Sequence, residues 1–196
     1  DYNRCGVPLL ETVTEPCLHS TEEALAFLDA LRKVFIYCDV SEARTDRGQM
    51  RVDVNISLSK DDTLGTRTEM KNINSFNSVR LAIETEIKRQ TEILQQGGVI
   101  VQETRRYDDN LKQTFSMRSK EDAQDYRYFP EPDLPPVYLS DEEIENIRNT
   151  IPMLPDERRK MYFDKYGIPT CDGEILTSDV SIAEYFEEAA SLTSYP

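Results

Sequence analysis

Histidine is almost missing from this sequence: His19 is the only one. That excludes a two-histidine metal site or a histidine relay within these residues. A histidine-activated nucleophile has one candidate, beside a helix cap. The four cysteines, Cys5, Cys17, Cys38 and Cys171, form no Cys-x-x-Cys pair, so the common zinc and dithiol patterns are absent. Scattered thiols fit a reducing, cytosolic compartment, with the cysteines buried as small hydrophobes. No run of eighteen apolar residues exists to span a membrane, and no charged-then-apolar leader opens the chain. The phosphate-binding Gly-x-x-x-x-Gly-Lys-Ser/Thr loop and the Gly-x-Gly-x-x-Gly dinucleotide fingerprint are also missing, as is a Gly-x-Ser-x-Gly nucleophile elbow. Positive charge is short, with 23 Lys and Arg against 37 Asp and Glu and a net charge of −14. That balance argues against a surface that coats nucleic acid. The acidic runs at 141–145 and 184–188 read as solvated helix faces. The first residue is Asp1, and the opening stretch reads as a strand entry, so a piece of a longer protein is expected.

Apolar residues make up 38% of the 196. That is lean for a folded domain, yet they are periodic and the length suffices for a core. Ser20 and Glu23 form a capping-box pattern. Leu25, Leu28, Leu31 and Phe35 then recur at helical spacing, which predicts a helix over 21–38. Residues 50–58 alternate: Met50, Val52, Val54, Ile56 and Leu58 face one way, Arg51, Asp53, Asn55 and Ser57 the other. This is a strand with one core face. A polar link leads to a second strand over 66–71, with Arg67, Glu69 and Lys71 on one face. Asn74 or Ser75 caps a helix striped by Phe76, Val79, Ile83, Ile87 and Leu94 and ended by Gly97-Gly98. A hairpin over 99–107 and 114–118 turns around Asp108–Asn110. The four prolines of 129–136 demand an extended connector or wall. Ser140 with Glu143 caps another helix, the break at 151–155 is a domain boundary, and 156–166 (closed by Gly167) and 180–190 read as helices.

The face Arg51-Asp53-Asn55-Ser57 is unusual for a solvated strand, because short carboxylate and amide side chains hold position well and suit metal or phosphate. If the two strands pair, Asp53 and Glu69 converge, and two close carboxylates repel unless a cation or proton lies between them. Magnesium is the hard-oxygen choice. Cross-strand Arg–Glu and Lys–Asp pairs of little energetic worth account for the same face without a ligand. Glu11, among apolar neighbours, is expected to be partly buried and to need a partner, either a metal or an arginine such as Arg4. Lys71-Asn72-Ile73-Asn74-Ser75 precedes a helix N-terminus, which attracts anions, although Asn and Ser there also cap for structural reasons alone. Arg105, Arg106 and Arg118, with Arg127 further on, suit phosphate, or pair with the many acids.

Taken in order, the stretches 1–11 (DYNRCGVPLLE), 51–57 (RVDVNIS), 68–75 (TEMKNINS), 102–108 (QETRRYD), 125–133 (DYRYFPEPD) and 154–158 (LPDER) closely resemble the B-subunit family of the tRNA-dependent amidotransferases, the GatB/GatE family. The resemblance implies an α+β fold like the catalytic domains of glutamine synthetase and guanido kinases, an antiparallel sheet with helices on one face. Residues 1–150 would be the C-terminal part of that catalytic domain and 151–196 the start of a helical domain. It implies an ATP- and magnesium-using carbon–nitrogen ligase of the cytoplasm, with a glutaminase A subunit, a small C subunit and misacylated tRNA as partners and no membrane. The side-chain carboxylate of glutamyl-tRNA(Gln), and of aspartyl-tRNA(Asn), would be phosphorylated and then amidated by channelled ammonia. Matched to the family motifs, Glu11, Asp53 and Glu69 are the metal candidates. Arg51, Asn55, Lys71, Asn72, Asn74 and Ser75 are the ATP or substrate candidates, and Arg105, Arg106 and Arg118 the catalytic candidates, for phosphate or for the transition-state charge. The family's N-terminal Glu-x-His segment and tRNA-gripping tail have no counterpart here, so an incomplete metal site and weak tRNA affinity are expected. A carboxylate–amine ligase for a small substrate and a non-catalytic scaffold for the other subunits are the alternatives.

Overall fold

The computed structural model describes residues 6–61, 63–73, 75–119 and 132–195, with the side chains of Asn72, Arg118 and Ser119 left aside. Asn74, Arg4, Cys5, Arg127 and Pro130 of the 129–136 connector lie outside the described residues, as do the side-chain roles expected of Asn72 and Arg118.

Among the described residues the elements follow in the order α1 (Thr21–Tyr37), β1 (Val52–Ile56), β2 (Thr68–Ile73), α2 (Phe76–Gln95), β3 (Glu103–Asp108), β4 (Gln113–Ser119), α3 (Asp141–Arg148), α4 (Pro155–Tyr166), α5 (Thr170–Leu176) and α6 (Val180–Ser191). The caps are chemical and local. Ser20 Oγ accepts from Glu23 N at 3.1 Å, while the Glu23 carboxylate reaches His19 N instead of closing the box on Ser20. Ser75 Oγ accepts from Ser78 N at 3.0 Å, and Ser140 and Glu143 form a complete capping box. Gly167 closes α4 with φ 68°, a left-handed cap that suits glycine. The short α5, begun by Pro169, is not foreseen from the sequence because seven residues show no full amphipathic repeat.

The four strands lie in the order β1-β2-β3-β4. The sheet is mixed: β1–β2 and β3–β4 are antiparallel, but β2–β3 is parallel. The expected all-antiparallel sheet is therefore corrected. The reason is the connection, because α2 runs between β2 and β3 as a crossover, which returns the chain in the same direction. Helix α2 packs on the sheet, and α1 packs on α2. Together they bury Leu28, Met70, Ile73, Val79, Ala82, Ile83 and Tyr107, with Val52, Val54 and Ile56 against the cluster. The apolar face read from the alternation of 50–58 is thus the helix-facing one. Because Ser75 Oγ holds both Ser78 N and Ser78 Oγ, Ser75→Ala should lower stability by about 1 kcal/mol. A urea midpoint shifted at unchanged slope checks this.

Behind the sheet lies a charged network. Glu86, fully buried on the α2 stripe, accepts from Arg89, from Gln90 at 2.9 Å and from Thr114 Oγ1 at 3.0 Å. Arg105 Nε stands 3.6 Å from Glu86 and donates to Thr114 Oγ1. Beyond residue 151, Tyr162 is buried and stacks edge-on with Phe186, its hydroxyl donating to Glu187 at 2.8 Å. The Arg158 guanidinium pairs with Glu187 and lies over the Tyr37 ring, and Tyr37 Oη donates to Thr177 O. These contacts fasten α4–α6 to the end of α1.

Two expectations about burial fail. Residues 6–19 have no regular structure and are exposed throughout, Glu11 among Leu9, Leu10 and Val13 included. Glu11 is therefore solvated, and a carboxylate in water needs no partner. Cys17 and Cys171 are exposed free thiols, not buried hydrophobes, Cys17 because it lies in the uncovered segment 6–19 and Cys171 because it falls on the outward side of α5, whose buried residue is Gly173. No helix among the described residues is long and apolar enough to cross a membrane.

Candidate active site

The face of the sheet away from α2 carries the polar constellation. On β1, Asp53 and Asn55 are exposed on the side opposite Val52, Val54 and Ile56. Asn55 stands across from Glu69 on β2. Glu69 is in register with Thr104 on β3, and Lys71 with Arg106. Neighbouring strands thus bring residues from three separate sequence motifs onto one surface.

Lys71 is at the centre. Its Nζ lies 3.3 Å from Asp53 Oδ2 and 3.3 Å from Glu69 Oε1. Partial burial of the amine works against its charge, but the two carboxylates outweigh that and hold its pKa above the ordinary lysine value. The ammonium is therefore fully protonated at neutral pH. The other Glu69 oxygen accepts from Thr104 Oγ1 at 2.9 Å. Arg106, exposed, lies over the Phe115 ring of β4 at 5.7 Å, a cation–π contact that confines its direction.

Asp53 and Glu69 converge as the strand pairing predicts, and the charge between them is the Lys71 ammonium. Among the described residues no group of three His, Cys, Asp or Glu side chains can hold a metal, and Glu11 joins no such group. Lys71 and Arg106 reach the open face. Arg51 is exposed just before β1. Ser75 is engaged in capping α2. Arg105 points the other way, into the network around Glu86, because β-strand neighbours alternate faces. Two participants are not among the residues expected from the sequence. Thr104 has the pattern of an ordinary strand residue. Glu86, behind the sheet rather than on the open face, does carry a signal, a carboxylate between Ile83 and Ile87 of the helix stripe.

The donor chemistry suits magnesium. Asp53 and Glu69 are hard oxygen donors on adjacent, hydrogen-bonded strands, and magnesium commonly takes only one or two protein carboxylates beside water and phosphate oxygens, while the charge they face in the folded chain is the Lys71 ammonium.

The GatB/GatE catalytic domain matches residues 1–145. The chain belongs to the GatB/GatE family. It is 54% identical over 195 residues to the B subunit of the aspartyl/glutamyl-tRNA(Asn/Gln) amidotransferase of Caldicellulosiruptor bescii, covering 98% of this chain and 41% of that protein. The protein of the same name from Ruminiclostridium cellulolyticum is 49% identical over 198 residues, covering 100% and 41%. The one from Geobacillus kaustophilus is 50% identical over 189 residues, covering 95% and 40%. The chain thus spans about two fifths of the length of these GatB/GatE relatives. The motif order that pointed to this family is matched by similarity along the whole sequence. The family domain ends near α3, so the constellation on β1–β4 falls inside it.

Proposed function

We propose that this GatB/GatE chain carries part of the centre that activates the side-chain carboxylate of glutamyl-tRNA(Gln), and of aspartyl-tRNA(Asn), for amidation. The carrying observation is the convergence of Asp53, Glu69, Lys71 and Arg106 on one open sheet face. ATP would phosphorylate the carboxylate, making an acyl phosphate whose phosphate is a good leaving group. Ammonia from a glutaminase subunit would then displace phosphate as the amide bond forms. Asp53 and Glu69 are the residues that would hold magnesium, which supplies neutralising charge for the transferring phosphoryl group. Lys71 and Arg106 steady phosphate oxygens, Lys71 as a point charge and Arg106 bidentately. Such phosphoryl transfer asks for positioning and charge rather than a covalent side chain, in keeping with the absence of any triad motif. A glutaminase A subunit, a small C subunit and misacylated tRNA are the partners, and the cytoplasm is the site of action. Residues 1–150 form the catalytic portion and 151–196 the start of a helical one.

Arg106→Ala in the intact enzyme tests the reading. Loss of one charge-assisted contact, worth about 1.5–3 kcal/mol, should raise the KM for ATP roughly ten- to a hundredfold in glutamyl-tRNA-dependent ADP release. An unchanged KM removes Arg106 from the site. ADP release driven equally well by free glutamate favours a small-molecule ligase instead.

A further inference from the structure

Glu69 has two carboxylate oxygens with different partners. Oε1 faces the Lys71 ammonium at 3.3 Å, while Oε2 accepts from Thr104 Oγ1 at 2.9 Å. Thr104 is in parallel register beside Glu69 and is only 2% exposed, although it lies on the polar face. Thr104 lies opposite Arg118 and Arg105 opposite Ser116, so β4 carries one extra residue, a bulge, beside this position. Bulges are over-represented beside active sites. A β-branched side chain is stiff at χ1, so this hydroxyl has little freedom to leave its acceptor. With one oxygen pinned, rotation of the Glu69 carboxylate is blocked and the other stays aimed at the position it shares with Asp53.

We propose that Thr104 is a positioning residue for carboxylate activation, fixing the rotation of Glu69 so that Oε1 faces Lys71 and the cation position beside Asp53. The inference rests on the proposed role of Glu69. Thr104 touches no reacting atom and acts through the carboxylate. Outer hydrogen-bond partners of this kind hold ligating carboxylates in place, and losing one commonly costs about ten- to a hundredfold in affinity or activity.

The test uses the intact amidotransferase, with glutamyl-tRNA-dependent ADP release titrated against magnesium, basal glutamine hydrolysis and thermal midpoint measured on the same preparations. Thr104→Val keeps the shape and removes the donor. It should lower kcat by about tenfold and raise the magnesium needed for half-maximal rate, leaving glutamine hydrolysis unchanged. Thr104→Ser, which keeps the hydroxyl, should restore both within about twofold. Should the valine enzyme fail to assemble, Thr104→Cys, with its weak donor, should show the same shift at smaller amplitude. In a double-mutant cycle, Thr104→Val added to Glu69→Gln should cost nothing further. If Glu69→Gln abolishes activation while Thr104→Val matches the parent, or if the two losses simply multiply, the positioning role is overturned and the site reading stands. If Glu69→Gln is fully active, both fall together.

Discussion

Glu69→Gln should reduce glutamyl-tRNA-dependent ATP cleavage by roughly 10²–10³-fold, the usual loss when one preorganised electrostatic partner of a transferring group is removed. Glutamine hydrolysis should persist at least at its basal rate. The substitution keeps volume and hydrogen-bonding shape but deletes the charge that Lys71 and the cation position share with Asp53. The fold should survive it. The Glu69 and Lys71 side chains are 23% and 37% exposed, and ion pairs near the surface contribute about 0–1 kcal/mol. An activity loss with an unchanged thermal midpoint therefore reports chemistry, not unfolding. Parallel assays of ADP and glutamate release separate the two half-reactions. Unchanged ATP cleavage would return Glu69 to cross-strand pairing and favour a scaffold role for this face.

Glu86→Ala should produce the largest loss of stability, about 3 kcal/mol, at the lower end of the range for breaking a buried ion pair. The lower end applies because Arg105 and Arg89 both retain Glu103 nearby. The buried carboxyl is disfavoured by desolvation, yet hydrogen bonds from Arg89, Gln90 and Thr114 and the charge of Arg89 outweigh this and hold its pKa below the ordinary 4.5. The sign follows from linkage. A folded-state pKa below the unfolded one contributes stability that is fully present above about pH 4.5 and is lost as the pH falls through the folded value. Glu86→Gln, which keeps partners for Gln90 and Thr114, should be less damaging and should flatten the acid limb of the stability–pH curve. Urea unfolding between pH 3 and pH 7 measures both; a Gln variant as acid-sensitive as the parent would remove Glu86 as the source.

Where the information is local, the chain spells it out. The Ser20, Ser75 and Ser140 caps, the Gly167 stop and the alternation of 50–58 each depend on neighbours a few residues away, and each element stands where its pattern puts it. The polar face of β1 is legible for the same reason, since period-2 alternation assigns faces without reference to the rest of the fold, whereas its convergence with Glu69 also needs β1 to pair with β2. Parallel pairing of β2 and β3 is not, because strand direction depends on how α2 crosses the sheet. The burial expected of Glu11 fails because apolar neighbours imply burial only if something packs on them, and residues 6–19 have no such cover among the described residues.

The arginines show the division most clearly. Sequence by itself determined that Arg105 and Arg106 lie on a strand and must point to opposite faces, because adjacent Cβ atoms alternate across the pleat. Only the tertiary structure decided which face is which. α2 places Glu86 behind the sheet, so Arg105 turns inward to a buried carboxylate, while Arg106 is left with Lys71 on the open side. The same holds for Thr104. Its place on a strand was set locally, but its hold on Glu69, thirty-five residues away in sequence, exists only because β2 and β3 are brought into register.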